Sequence, residues 1–273
     1  MPGLYEFSAQ PDDQNALSES GSKIESVFTS FDTTTNQFVW EATYSAGPGD
    51  YVTGYGTAAD TLPTGFALVI NDGPMPKGHL GELAVIYFEA VDLIESGFTA
   101  GTPNLNVFAY NGGNSATSYR TSDDLDADAP PDPIVSSLAG FDFTASVVDD
   151  DSGPVLLRTM RIGFDATEIL DHTPLQTPRD RYDDDAPLTW FGLGFAHQVG
   201  IWFHPFNDID PRYNDDGFLA DEGGVRGWGI TRRNYGAFDV DMLDAVLVPE
   251  PIAAGLLLAV PLLGRRRRVA RSG

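Results

Sequence analysis

The stretch GFALVINDGPMPKGHLGELAVIYFEA, residues 65–90, decides the fold. Its first apolar run, 65–70 (GFALVI), halts at Asn71-Asp72-Gly73-Pro74, a turn sequence. Its second, 83–89 (LAVIYFE), is again of strand length and rich in β-branched and aromatic side chains. Two short apolar runs divided by turn residues predict β-strands, and the pattern continues on either side.

Residues 37–44 (QFVWEATY) carry the same residue types and end at a Gly-Pro-Gly turn. Residues 105–110 (LNVFAY) alternate and stop at Asn111-Gly112-Gly113. Phe141, Phe143, Ala145 and Val147 share one face of a predicted strand, and Met160, Ile162 and Phe164 share one face of another. Phe191, Leu193 and Phe195 alternate with glycines, and 200–204 (GIWFH) follows closely. Ile24, Val27, Phe28 and Phe31 fall at helical spacing, but the serines and threonines around them favour a strand. The 29 glycines and 19 prolines punctuate the chain often. Many short strands with turns between them predict an all-β fold, an antiparallel β-sandwich. The acidic, proline-rich residues 121–133 (TSDDLDADAPPDP) are expected to be a solvated loop of one sandwich rather than a linker.

With 273 residues, 42% of them hydrophobic, the chain has enough material for a packed core. Its charge is uneven: residues 1–248 carry 39 of the 40 acidic side chains but only 11 of the 16 basic ones, a net charge of −28. Such a field repels nucleic acid and anionic membrane surfaces. It attracts divalent cations, although a high-salt habitat selects the same surface. The absence of cysteine excludes disulfides, thiolate metal sites and a thiol nucleophile.

From Val248 the chain changes character and reads VPEPIAAGLLLAVPLLGRRRRVARSG. Pro249 and Pro251 lock φ and remove donors, so Val248, Pro249, Glu250 and Pro251 form an extended segment that stops any strand before it. Residues 252–263 carry no charge, and Gly264 leads into Arg265, Arg266, Arg267 and Arg268. As a helix the apolar run would be about 18 Å long, short for a bilayer core of ~30 Å. Bilayer thinning and snorkelling arginines cover part of the mismatch. The positive-inside rule keeps the arginines cytoplasmic and places residues 1–248 outside. A buried C-terminal helix with a basic end is the alternative.

The order of these three parts resembles the PEP-CTERM sorting signal of bacterial surface proteins. The resemblance implies an acidic β-sandwich ectodomain over 1–246 and a sorting tail over 247–273, the latter with a short C-terminal hydrophobic helix. It also implies cleavage near Pro-Glu-Pro by a membrane protease, an exosortase. The protein would be exported, tethered to the membrane through its C-terminal helix, and delivered to the cell surface or extracellular matrix. Residues 65–90, 162–169 (IGFDATEI) and 200–205 (GIWFHP) further resemble the jelly-roll ectodomains of such proteins, and laminin-G or concanavalin-like sandwiches, in strand pattern. That likeness implies no catalytic residues.

Three acidic loops, 123–132, 180–185 and 207–222, are candidates for calcium, which takes about six to eight oxygen ligands. The richest supplies Asp208, Asp210, Asn214, Asp216 and Asp221. It departs from the EF-hand pattern, since Gly217 as the turn residue puts Arg212 in the first ligand position. A solvated acidic surface accounts for the same residues. Trp228, in the glycine-rich 224–230 (GVRGWGI), is the candidate for stacking on a sugar ring, whereas Trp40, Trp190 and Trp202 are expected in the core. Glu89, Asp92 and Glu95 are spaced by three, which in a strand alternates their faces and spoils a glycosidase pair. His79, His172, His197 and His204 form no ligand pair, and Ser45, Ser96 and Ser152 sit in no nucleophile elbow.

The expectation is a non-enzymatic protein, structural or adhesive near exopolysaccharide. A carbohydrate-binding module, with or without calcium, is the alternative, and a glycosidase-like enzyme a remote one. No cofactor is required and calcium is optional. The expected partners are an exosortase, the membrane and envelope glycans, not nucleic acid. Residues 1–14 (MPGLYEFSAQPDDQ) lack the basic and apolar regions of a secretory signal. Translation of the DNA in frame upstream of Met1 is therefore expected to give a basic-then-apolar segment, and a stop codon directly before Met1 would contradict this.

Overall fold

The computed structural model describes residues 1–10, 23–46, 62–72, 84–109, 133–172, 179–180, 183–187, 192–206, 209–211, 228–230 and 238–249. Their strands are β1 (Leu4–Ala9), β2 (Lys23–Asp32), β3 (Gln37–Ser45), β4 (Gly65–Asn71), β5 (Ala84–Glu89), β6 (Asn104–Ala109), β7 (Val135–Ser136), β8 (Thr144–Asp150), β9 (Leu157–Asp165), β10 (Arg179–Asp180), β11 (Asp183–Pro187), β12 (Gln198–Phe206), β13 (Ile209–Pro211), β14 (Trp228–Ile230), β15 (Phe238–Asp244) and β16 (Val246–Val248). Helical structure among them is limited to α1 (Val91–Glu95), α2 (Thr167–Leu170) and a 3₁₀ turn at Ser137–Ala139. Two six-stranded antiparallel sheets dominate: β16-β1-β2-β3-β9-β8 and β15-β12-β4-β5-β6-β7. The all-β class expected from the sequence is the class found. The short pairs β10-β11 and β13-β14 stand apart from both sheets.

The strands follow from local pattern. In β3, Phe38, Trp40, Ala42 and Tyr44 are buried in alternation, opposite Phe164, Ile162, Met160 and Arg158 of β9. β4 and β5 are instead buried at every position. A strand covered on both faces needs no polar alternation, which is why 65–90 reads as unbroken apolar runs. The helical spacing in 23–32 also has a strand explanation. Ile24 pairs with Tyr44 but Ser26 pairs with Thr43, so Glu25 is an inserted bulge residue. The bulge advances the phase by one, and Ile24, Val27 and Phe31 all reach the core.

Three expectations change. Residues 192–195 do not form a strand, because Gly192 and Gly194 take φ of 62° and 145° and interrupt the extended backbone. Leu193 and Phe195 are nevertheless buried, as their alternation implied. The strand expected over 141–147 begins at Thr144 and runs to Asp150, with Phe141 and Phe143 packing on the core from the approach to it. Glu89 alone of its triplet is in a strand, since α1 starts at Val91 and carries Asp92 and Glu95. Residues 121–132 and the expected C-terminal helix of 252–263 lie outside the described residues.

The two sheets share one core. Phe203 of β12 contacts Trp40 and Tyr44 of β3 at ring-centroid distances of 4.8 and 6.3 Å, and its sheet neighbour Phe66 at 5.4 Å. At one end a cross-strand row runs Ile24, Tyr44, Arg158, Asp149. Arg158 is only 1% exposed. Its Nε and Nη2 donate to the two carboxylate oxygens of Asp149, each at 2.7 Å, and Nη1 donates to the Pro63 carbonyl at 3.0 Å. Pro63 lies just before β4, so one guanidinium joins the edge of the first sheet to the entry of the second. Burial pushes the Tyr44 phenol well above its ordinary range, the adjacent Arg158 opposing the shift.

These contacts define two ends of the domain. Pro63, Tyr44, Arg158 and Glu89 lie at one, where the Thr64 carbonyl also accepts from Ala90 N–H at 2.9 Å. Asp32, Gln37 and Asp165 of the first sheet lie at the other, with Val248. Phe31 meets Phe195 there at 6.2 Å.

Removing one partner of a buried ion pair strands the other charge. Asp149→Ala is expected to destabilise the domain by about 3 kcal/mol. At about 2–4 °C per kcal/mol, that is a fall of roughly 10 °C in the thermal midpoint. The double variant Asp149→Leu with Arg158→Met, which removes both charges, is expected to melt near the parent.

Candidate functional site

The C-terminal junction is built by strand pairing. Val246, Leu247 and Val248 of β16 pair with Glu6, Tyr5 and Leu4 of β1. Ala245 N–H donates to the His197 carbonyl at 2.8 Å as the chain passes from β15 in one sheet to β16 in the other. Leu247 packs on the core. Pro249 is exposed and has no N–H with which to lengthen the ladder. The pairing therefore ends at Val248, one residue before the Pro-Glu-Pro triplet. Glu250, Pro251, Arg265, Arg266, Arg267 and Arg268 lie outside the described residues. Among the described residues no helix is long and apolar enough to cross a membrane.

Of the calcium candidates, Asp208, Asn214, Asp216 and Asp221 also lie outside the described residues, and Asp210 is placed only by its backbone in β13, opposite Gly229. Trp228 pairs through its backbone with Pro211. The β13-β14 pairing thus brings the Asp210 and Trp228 segments side by side although 18 positions separate them in sequence. Among the described residues no group of three or more His, Asp or Glu side chains is arranged to hold a metal ion.

Trp40 is in the core as expected, and Trp202 is half-buried. His197 stands edge-on to Tyr5 at 5.6 Å. Desolvation lowers the pKa of His172. Ser45 donates to Glu25, and Ser152 belongs to the β8–β9 turn. None of these forms a nucleophile–base pair.

The corner between β5 and β6 is the most elaborated polar feature. Glu89, at the end of β5, is buried. Its carboxylate accepts from the Asn104 side chain and from Val91 N–H at 3.1 Å. Burial raises its pKa, the two hydrogen bonds oppose that shift, and the charge of Asp92 adds to it. One buried carboxyl with an exposed aspartate on the next helix is not the opposed pair that glycoside hydrolysis uses.

Beyond this corner, α1 ends in a Schellman arrangement: Phe98 N–H donates to the Leu93 carbonyl and Gly97 N–H to the Ile94 carbonyl, both at 2.9 Å. Ser96 Oγ donates to the Leu93 carbonyl at 2.8 Å and accepts from Ala100 N–H at 3.0 Å. Thr99 Oγ1 donates to the Ser96 carbonyl at 2.6 Å. Gly101 lies against the helix backbone, where a Cβ would come within 2.7 Å of the Asp92 carbonyl carbon and Leu93 N. The loop thereby holds Phe98 in a left-handed conformation, φ 62°, with its ring exposed. The sequence reading passed over Phe98. The signal for it was present in Ser96-Gly97, a helix stop directly before an aromatic residue.

With the fold and these places in view, comparison with known proteins adds no relative: no family model, no curated protein and no solved structure matches the chain.

The raised pKa of Glu89 has a definite sign in stability. The folded state favours the protonated carboxyl. Its contribution is fully present below the ordinary glutamate value of 4.5 and is lost as pH rises through the folded value. Glu89→Gln keeps the shape and lets Asn104 turn its amide over to accept a hydrogen bond. The variant is expected to melt above the parent at pH 7. That advantage is expected to shrink as the pH is lowered below 4.5, as read from paired thermal melts.

Proposed function

We propose that this chain is an exported, non-enzymatic surface or matrix protein, carried to its place by a PEP-CTERM sorting tail and structural or adhesive near exopolysaccharide. The observation that carries the reading is the position of the last strand. β16 closes onto β1 and stops at Val248, so everything from Pro249 onward lies beyond the sheet. An extended Pro-Glu-Pro segment next to a completed fold offers a protease a substrate that costs the domain nothing to lose. The apolar run 252–263 would hold the chain in the membrane with Arg265 to Arg268 on the cytoplasmic side, until an exosortase releases it.

The domain itself fits a β-sandwich of jelly-roll or concanavalin-like type. Nested pairings favour this. β3 lies beside β9 and β4 beside β12, so the chain repeatedly leaves one sheet, visits the other and returns next to its starting strand. A second reading, a carbohydrate-binding module, is favoured by the rigid loop that exposes Phe98. Calcium would enter that reading through the loop of Asp208, Asp210, Asn214, Asp216 and Asp221, with Trp228 on the neighbouring strand.

Mass spectrometry of the native protein tests the sorting reading. A C-terminus between Val248 and Pro251 is expected, on a chain that melts at the same temperature as the uncleaved protein. An intact Gly273 on protein recovered from the cell surface would overturn it.

A further inference from the structure

Among the described residues, six large apolar side chains are exposed, and Phe98, Leu138 and Val155 belong to the same end of the domain. Phe98 is on the loop between α1 and β6, next to the Glu89–Asn104 rung. β7 runs antiparallel to β6 with Ser136 opposite Asn106, so continuing to Leu138 brings the chain level with Asn104. Val155 is in the turn that follows the Asp150–Leu157 rung. This is the end of Pro63 and Arg158, and Val248 leaves from the opposite one. In a domain held by its tail, Phe98 and Leu138 face away from the anchor.

Phe98 is built outward at a cost. A bulky L-residue in the left-handed region is strained by roughly 1–2 kcal/mol. Burial does not return that energy, since Phe98 is 40% exposed. The Schellman bonds, the Ser96 hydroxyl and the close seat of Gly101 fix the loop, so the ring is presented in a set position. Strain kept in a rigid, exposed segment is a mark of recognition rather than of packing.

We propose that Phe98 is the stacking platform of a binding site for an uncharged polysaccharide at the end of the domain away from the tail, with Leu138 beside it. The proposal rests on the carbohydrate-binding reading above and gives that reading a site other than Trp228. The chemistry selects the occupant. Asp92 and Glu95 are exposed on α1, and residues 1–248 carry a net charge of −28, so anionic polymers and a second copy of the chain are repelled. Two apolar side chains fall far short of the ~1,000 Å² that a stable protein interface buries. A pyranose ring matches both features. Its C–H face covers an aromatic ring, and its hydroxyl rim hydrogen-bonds to carboxylates and to Thr99.

Affinity electrophoresis of the full chain tests this in gels containing dextran, laminarin or hydroxyethyl cellulose, with alginate as the anionic polymer. Retardation by at least one uncharged polymer and not by alginate is expected. Phe98→Gly is expected to weaken it about tenfold or more, in line with loss of one aromatic contact. Its thermal midpoint should stay level or rise, because glycine relieves the strained φ. Phe98→Tyr should keep binding, and Leu138→Ala should weaken it less. Full binding by Phe98→Gly would overturn this site while leaving the carbohydrate-binding reading intact. Loss of binding together with a lower midpoint would mark Phe98 as structural and also overturn the site. A wild type retarded by no polymer, or by alginate alone, would overturn both.

Discussion

Phe203 is where two sheets become one core. Its ring lies against Trp40 and Tyr44 from the facing sheet and against Phe66 from its own. Aromatic rings at such distances bury large areas and also favour particular angles, so the contact sets both the spacing of the sheets and their relative register. The row beside it contains a charge, and Arg158 tolerates burial because three of its donors are used. Asp149 takes two of them and the Pro63 carbonyl takes the third. The crossover from β3 to β4 is thus pinned by a residue of β9, a strand that forms much later in the chain. The same guanidinium stands close to a phenol buried without a hydrogen-bond partner among the described residues. Packing against Phe203, rather than polar satisfaction, keeps that tyrosine inside.

Much of the first sheet was legible because one face of it is polar. β3 and β9 alternate cleanly, and their buried residues are the ones the alternation selected. β2 misled by its spacing for a single local reason: the Glu25 bulge inserts one residue and imitates a helical interval. The second sheet was legible in another way. β4 and β5 carry no alternation because both of their faces are covered, and only length and turn residues identify them as strands. Residues 191–195 show the limit of the method. Their alternation reports burial correctly, yet positive φ at Gly192 and Gly194 cannot be inferred from side-chain pattern alone.

The functional reading was legible at the tail and scarcely elsewhere. Pro249 ends strand pairing for the same reason that made it visible in sequence, its missing N–H. The Phe98 loop was not visible, because its distinguishing property is a backbone conformation held by hydrogen bonds from Ser96, Gly97 and Thr99. The Glu89 triplet was rejected as a catalytic motif on strand geometry. The reason changes while Glu89 keeps its isolation, since a helix begins between it and Asp92.

The short pairing of β16 with β1 also has a mechanical side. β16 runs toward the point where the tail departs, so tension on the tail pulls along the strand axis. The rungs at Glu6, Tyr5 and Leu4 then carry the load together, in shear, instead of opening one at a time. If they yield, the load passes through Ala245 to β15, whose pairing with β12 is longer. A cell-surface domain tugged from one end and held by a ligand at the other would thus give up a short edge clasp first, with its aromatic core still closed.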